Sequence, residues 1–250
     1  MNLWDQRSLI FHFSLLNLKI RFRGTFLGFL WNALEPLFMF ILLYVVFTTV
    51  RPTQENFAIY LIIGVLLYHT FVQGTISGLN SIKSNQGILQ SLNVKKEIFP
   101  VVATGSTLIL LLIELIVFFG LMPIFNFTPS WHIILLAPLF ILFILLILGV
   151  SYILSVVSIY VKDIQPIWGV FAYSLLFASP IFWYVEEGGI LLEIQKINPL
   201  GQLIELGHKI IFGQIPPISD WLYTSLFIFG ILMAGYAIFQ KYEMRLTERL

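Results

Sequence analysis

The sequence has no cysteine in 250 residues, and Asp, Glu, Lys and Arg together make up only 11%. Soluble domains carry about 25% charged residues. The missing cysteines exclude disulfides, zinc–thiolate sites and cysteine catalysis. Histidine is also scarce. His12, His69, His132 and His208 are scattered without ligand spacing and read as interfacial or packed side chains. There is no G-x-x-x-x-G-K-[ST] phosphate loop, no H-E-x-x-H helix and no G-x-S-x-G elbow. No catalytic, cofactor-binding or metal-binding residue is therefore expected. The deficit of charge, taken with the excess of apolar residues, excludes a nucleic-acid-binding domain, and the net charge of +1 carries little information. What the chain does have is apolar: 58% hydrophobic residues and a mean hydropathy of +0.92. One soluble core of this size cannot hide so much apolar surface, so lipid must serve as part of its solvent.

A helix needs about 20 apolar residues to cross the hydrocarbon layer. The stretches 57–79, 133–160, 164–184 and 221–239 carry no charge. The stretch 101–125 carries only Glu114, and 26–50 carries only Glu35, followed directly by Pro36. A transmembrane barrel would show alternating segments of about ten residues. These runs are apolar all round, so the expected fold is an all-α membrane protein with six spans.

Residues 1–25 form a separate segment before the transmembrane domain of residues 26–250. Its basic cluster (Lys19, Arg21, Arg23) follows the apolar residues, the reverse of a cleaved signal peptide. At 100° per residue, Trp4, Phe11, Leu15, Leu18 and Phe22 form one apolar stripe, and Leu9, Phe13, Leu16 and Ile20 form another. The pattern predicts an amphipathic helix lying in the membrane plane. The alternative is a tail without fixed structure.

Six spans put both termini on one side. That side then holds Arg7, Lys19, Arg21, Arg23, Lys83, Lys95, Lys96, Lys162, Lys241, Arg245 and Arg249, against Arg51, Lys196 and Lys209 on the other. The bias orients both termini to the cytoplasm. The outer side holds Glu55, Glu186, Glu187, Glu193, Glu205 and Asp220. The long outer connection, 185–220, interleaves short apolar pieces with Gly and Pro. It reads as two short re-entrant or interfacial helices, the alternative being a plain surface loop.

Inside the spans, Glu35 with Pro36 suggests a bend or a new helical segment near the start of the first span. Glu114 sits mid-span and is costly unless paired, protonated or wet. A polar path and a structural hydrogen bond to a neighbouring helix are both open for it. Gly74 and Gly78 form a G-x-x-x-G that permits close helix approach and reads as packing. Phe177, Phe182, Trp183 and Tyr184 cluster at the outer end of the fifth span. With Glu114 they are the candidates for lining a conduit, because aromatic faces stack on sugar rings and exclude ions.

Five motifs in order resemble one family. Lys19-Ile-Arg-Phe-Arg-Gly-Thr-Phe-Leu-Gly-Phe-Leu-Trp31 followed by Glu35-Pro36 is similar to the N-terminal signature of type-2 ABC exporter permeases. Glu97-Ile-Phe-Pro100, Tyr160-Val-Lys-Asp-Ile164, Ser179-Pro-Ile-Phe182 and Asn198-Pro-Leu200 resemble further elements of the same family. The order and spacing match over nearly the whole chain, and the short length looks most like exporters of O-antigen, teichoic acid or capsule chains. The sequence departs where Lys162 replaces the usual Arg, Lys95 a frequent Pro and His208 a common Arg. The Lys162 change keeps charge but loses bidentate pairing.

The resemblance implies a permease in the cytoplasmic (inner) membrane. Two copies would assemble with two copies of an ABC ATPase chain, which would carry the ATP and Mg, and would pass a lipid-linked glycan. It implies a coupling helix for the ATPase at Ser84 to Asn93, with Ser84, Gly87, Ile88, Leu89, Leu92 and Asn93 in contact. It also implies a moving gate built from Lys19, Arg21, Arg23, Trp31, Glu35 and Pro36. Two other readings are a drug or lipid exporter of the same fold, and a membrane enzyme acting on polyprenyl-linked sugars. The enzyme should show clustered acids or basic diphosphate ligands at one membrane face, and the acids here are dispersed along the sequence. A purely structural subunit is a third reading.

Overall fold

A computed structural model describes residues 7–24, 27–28, 30–50, 55–87, 95–184 and 189–243. Among these the chain is helical, with no strand. The helices are α1 (Arg7–Arg21), α2 (Leu30–Val50), α3 (Phe57–Asn80), α4 (Ile98–Leu121), α5 (Leu136–Tyr160), α6 (Ile164–Ala178), α7 (Ile190–Ile197), α8 (Pro199–Ile211) and α9 (Ile218–Tyr242). Short 3-10 turns, Met122–Phe125 and Trp131–Leu135, join α4 to α5. In an apolar phase every backbone polar group must be satisfied within the protein, and long helices do so within one segment.

Five helices, α2 to α5 and α9, are long and apolar enough to cross a membrane. They match the expected spans to within a few residues. In the fifth expected span, 164–184, only the first part is helical: α6 stops at Ala178. Pro180 is the reason. A residue before proline is pushed out of the helical region, and Ser179 is extended at φ −110° and ψ 148°. The 15 residues of α6 reach about 22 Å at 1.5 Å per residue. The suggestion of a new segment at Pro36 is corrected, because α2 runs from Leu30 to Val50 through Pro36. The outer connection does hold two short helices, α7 and α8.

α3 is the centre of the bundle. It packs against α2, α4, α5, α6 and α8, and 89% of its most apolar window is buried, against 17% for α2 and 22% for α9. Glycine permits the close approaches. A Cβ at Gly74 would lie 2.9 Å from both Thr107 of α4 and Ile147 of α5, and one at Gly78 would collide with Ser151 of α5. The G-x-x-x-G therefore packs helices within one chain. α9 lies on α5 through Gly149 and Gly235. α6 is held on α3 by Trp168 Nε1 donating to Thr75 Oγ1 at 3.0 Å and by Tyr68 donating to the Ala172 carbonyl at 3.1 Å.

α1 packs along the first half of α4. Ser14 Oγ donates to the Val102 carbonyl and Ser106 Oγ to the Ser14 carbonyl, and Leu18 is buried. Phe11, Leu15, Leu16 and Ile20 point outward. Gly24 and Gly28 turn the chain from α1 toward α2 with positive φ, 79° and 52°. Arg21 reaches Gln73 near the end of α3, and Lys96 reaches the Glu243 carbonyl just beyond α9. The first and last helices thus meet the same end of the bundle.

The outward faces of α2, α6 and α9 are apolar. Phe38, Ile41 and Leu42 lie exposed on the first, Val170, Phe171 and Phe177 on the second, and Leu222, Leu226 and Met233 on the third. Such surface belongs in lipid or against another protein, not in water.

Candidate functional site

A chain of polar side chains runs from α1 into the middle of the bundle. Arg21 donates to Gln73 Oε1 at 2.7 Å. Gln73 Nε2 lies 3.5 Å from both carboxylate oxygens of Glu35. Glu35 Oε2 is 3.4 Å from His69 Nε2, and His69 Nδ1 is 3.2 Å from Glu114 Oε1. Glu114 also accepts from Asn32 Nδ2 and from Thr70 Oγ1, each at 2.6 Å. Each member has a local reason for its place. Pro36 and Asn32 sit one turn apart on the buried face of α2. His69, Thr70 and Gln73 stand at i, i+1 and i+4 of α3, and so share a side of that helix. Glu114 is on the buried face of α4.

A buried carboxyl is tolerated when it is paired and hydrogen-bonded. Glu114 is almost wholly buried and has three partners on two helices, whereas Glu35 is half exposed. The void beside Glu114, next to Ala33, Pro36 and Phe118, is only about 20 Å³. That is room for one water and for no substrate. The cluster therefore ties α1, α2, α3 and α4 together and does not hold a metabolite. Acids dispersed in the sequence are in fact brought together, around His69 and inside the bundle. Among the described residues no group of His, Asp and Glu could hold a metal ion.

The sequence-predicted residues divide as follows. Arg21, Glu35 and Glu114 join this chain, while Lys19 and Arg23 lie exposed on α1 and its following turn. Pro36 is buried in α2, and Trp31 is half exposed, its backbone N–H donating to the Gly28 carbonyl at 3.3 Å. Ser84 lies in a 3-10 turn after α3 and donates to the Asn80 carbonyl, and Gly87 follows it. Ile88, Leu89, Leu92 and Asn93 lie outside the described residues, as do Arg51, Glu186, Glu187, Arg245 and Arg249 used for orientation. Asn32, His69, Thr70 and Gln73 were missed as site residues. Their signal was polarity at one-turn spacing within otherwise apolar spans.

The four aromatics sit at the opposite end of the bundle, apart from Glu114's partners. Phe182 stacks on Phe47 of α2, with centroids 4.8 Å apart, and meets Phe177 edge-on. Trp183 donates to the Phe177 carbonyl, and its own carbonyl accepts from Tyr60. Tyr184 lies 4.4 Å from the Tyr60 ring. Ile181 fits against Gly64, whose missing side chain makes the room. One residue joins two of the motifs. Asn198 Oδ1 accepts from the Leu200 N–H and caps α8, while its Nδ2 donates to Ser179 Oγ at 2.9 Å and to the Ala178 carbonyl at the end of α6.

His208 stacks on Tyr60 with centroids 3.6 Å apart, and its Nε2 meets the Tyr60 carbonyl at 2.9 Å. Burial pushes its imidazole down to about 3, so it is neutral. Burial also raises the Glu205 carboxyl, against the opposing pull of Lys209.

A bundle of long apolar helices with a polar tie to a helix at one end is the architecture of a protein built into a membrane. The chain belongs to the ABC-2 type transporter family, whose profile matches residues 10–212. Among its curated relatives is an O-antigen export system permease protein RfbA of Myxococcus xanthus. It is 24% identical over 255 aligned positions, covering 99% of this chain and 97% of that protein. An O-antigen export system permease protein RfbA of Klebsiella pneumoniae is 26% identical over 245 positions, covering 94% and 92% respectively.

Proposed function

We propose that this chain is the permease of an ATP-driven exporter that moves a lipid-linked polysaccharide from the cytoplasm to the outer side of the membrane. The observation that carries the reading is the polar chain from Arg21 through Gln73, Glu35 and His69 to Glu114. It gives a helix at the membrane surface a stiff connection to the central helix α3, which transmission of force from a partner requires. Near-complete coverage of two relatives named as O-antigen export permeases supports the cargo.

In this reading α1 lies in the interface and α6 with its non-helical continuation completes a sixth crossing. The meeting of α1 and α9 at one end of the bundle supports an even number of crossings. The excess of Lys and Arg assigned to that end in the sequence supports a cytoplasmic side for it. Two copies pair through exposed apolar helix faces, and two ATPase chains dock at the segment from Ser84 to Asn93. ATP and Mg are bound by those partners.

Deletion of the gene tests the cargo. Lipid-linked glycan is expected to accumulate on the cytoplasmic leaflet and to vanish from the surface. Normal surface glycan with accumulation of a drug or simple lipid would replace this reading with that of a drug or lipid exporter.

A further inference from the structure

Where α1 lies on the start of α4, the two helices leave a pocket of about 170 Å³ between them. Phe13, Leu16 and Ile20 of α1 face Ile98 and Val102 of α4 across it. Leu16 and Ile20 are exposed, so the pocket opens at the surface. A buried water needs two to four polar partners. This pocket offers two amides, Asn17 and Asn85, and Asn85 Nδ2 already donates to the Ser81 carbonyl at 2.8 Å. The pocket therefore suits hydrocarbon better than water. A cavity of about 150 Å³ takes a six-carbon ring, so this one takes a similar number of carbons from a chain.

The charge around the pocket is of one sign. Lys19 follows Leu16 by three residues and so shares its side of α1. Arg23 follows Ile20 by three in the turn that closes the helix, and Lys83 precedes Asn85 by two. All three are exposed, and none has an acidic partner among the described residues. The stretches 7–34 and 56–96 contain no Asp or Glu. Glu97, the next acid along the chain, is buried and faces Lys95 and, on α9, Tyr236 and Gln240. Arg21 takes no part, because it is engaged with Gln73.

An apolar pocket rimmed by unpaired cations complements an amphiphile with a negative head. An acyl chain gains little by leaving bilayer hydrocarbon for such a pocket, because lipid tails are as apolar as leucine. The tail therefore sets the place, and the headgroup sets the choice. We infer that this pocket holds part of one acyl chain of an anionic membrane phospholipid, whose phosphate is met by Lys19, Arg23 and Lys83. Asn17 stands at the pocket with an amide that can donate to an ester oxygen of the lipid. The bound lipid wedges α1 against α4 at the end of the bundle where α1 is tied to α3. The assignment does not depend on the cargo, and its failure would leave the deletion experiment above untouched.

The test titrates the full chain, stripped of lipid in detergent, with dioleoyl phosphatidylglycerol or dioleoyl phosphatidylcholine. Native mass spectrometry reads binding, and thermal unfolding reads its effect. Phosphatidylglycerol is expected to bind at least tenfold more tightly. It should also raise the melting temperature where phosphatidylcholine does not, as a ligand of the folded state must. One basic residue beside an anionic headgroup changes affinity by about fivefold. Lys19→Gln and Lys83→Gln, both at exposed positions, should therefore each weaken phosphatidylglycerol about fivefold and leave phosphatidylcholine unchanged. Leu16→Trp fills the pocket and keeps every charge, so it should abolish the preference and the thermal shift. That variant separates a pocket from a merely basic surface, and the two lysine variants keep the test sound if it misfolds. Equal binding of the two lipids, native preference in the lysine variants, or a preference that survives in folded Leu16→Trp would overturn the assignment. Displacement of phosphatidylglycerol by equimolar polyprenyl diphosphate would overturn it in favour of the cargo lipid. Self-association lost in Leu16→Trp, with no lipid preference in the native chain, would overturn it in favour of a second copy.

Discussion

Thr70→Val is the cleanest perturbation of the buried polar chain. Valine has nearly the shape of threonine, so the change removes one hydroxyl without opening a cavity. That hydroxyl donates to Glu114 Oε2 at 2.6 Å, in a site shut off from water. A hydrogen bond to a charged group contributes about 1.5–3 kcal/mol. At about 2–4 °C per kcal/mol for a chain of this size, the melting temperature should fall by roughly 3–12 °C. Asn32→Ala, which removes the other 2.6 Å donor, should do the same. The double variant should fall by less than the sum, since both act on one carboxyl. Thermal unfolding of the detergent-purified protein, followed by size-exclusion retention, reads the effect. The companion Glu114→Gln should restore part of the loss in the Thr70→Val background, because a neutral amide tolerates a lost donor better than a carboxylate. If Thr70→Val melts within 1 °C of the native chain and Glu114→Gln is neutral in both backgrounds, Glu114 is not held as the geometry shows, and the tie between α3 and α4 is removed from the argument.

Other perturbations address the rest of the molecule. Charged residues at Ile88 and Leu89 should abolish substrate-stimulated ATP hydrolysis by the partner while the permease still inserts; normal stimulation would move the docking site elsewhere. Gly78→Ala should destabilise the chain by about 1–3 kcal/mol through its clash with Ser151, and Ser151→Gly in the same molecule should recover most of that, as read by the yield of folded protein. Asn198→Ala should cost at least the ~1 kcal/mol of a lost helix cap, with increased proteolysis near 178–200 as the marker of a loosened α6–α8 junction. His208 is held neutral in the fold, its value lowered from 6.5 to about 3. Its contribution is therefore present above about 6.5 and lost as pH falls from there toward 3. The difference in melting temperature between native protein and His208→Phe should shrink on acidification in that window, and a constant difference would show that His208 does not titrate there.

Much of the architecture could be read from the residues because lipid imposes a simple rule. A helix that must satisfy its backbone in hydrocarbon needs an unbroken apolar run, and such runs mark α2, α3, α4, α5 and α9 within a few residues of their ends. The end of α6 was also written locally, in Ser179-Pro180, but a count of uncharged residues overlooks it, since proline is as uncharged as leucine. What the runs could not reveal is which helix is central. α2 and α3 are both apolar all round, yet one faces outward and the other is enclosed. Burial against lipid and burial against protein select the same residue types.

The polar chain was hidden for a different reason. Glu35, His69 and Glu114 are each the lone acid or imidazole in their own span, and only three-dimensional packing puts His69 within 3.4 Å of both acids. Taken singly, each reads as an isolated cost. Taken together, each supplies what the next lacks, because a buried acid needs donors and a buried imidazole needs an acceptor. The scarcity of charge in the sequence and the concentration of polar groups at this one place are therefore the same fact. A bundle in lipid can keep ionisable residues only where they satisfy one another, so the few that it keeps mark where its helices must stay connected.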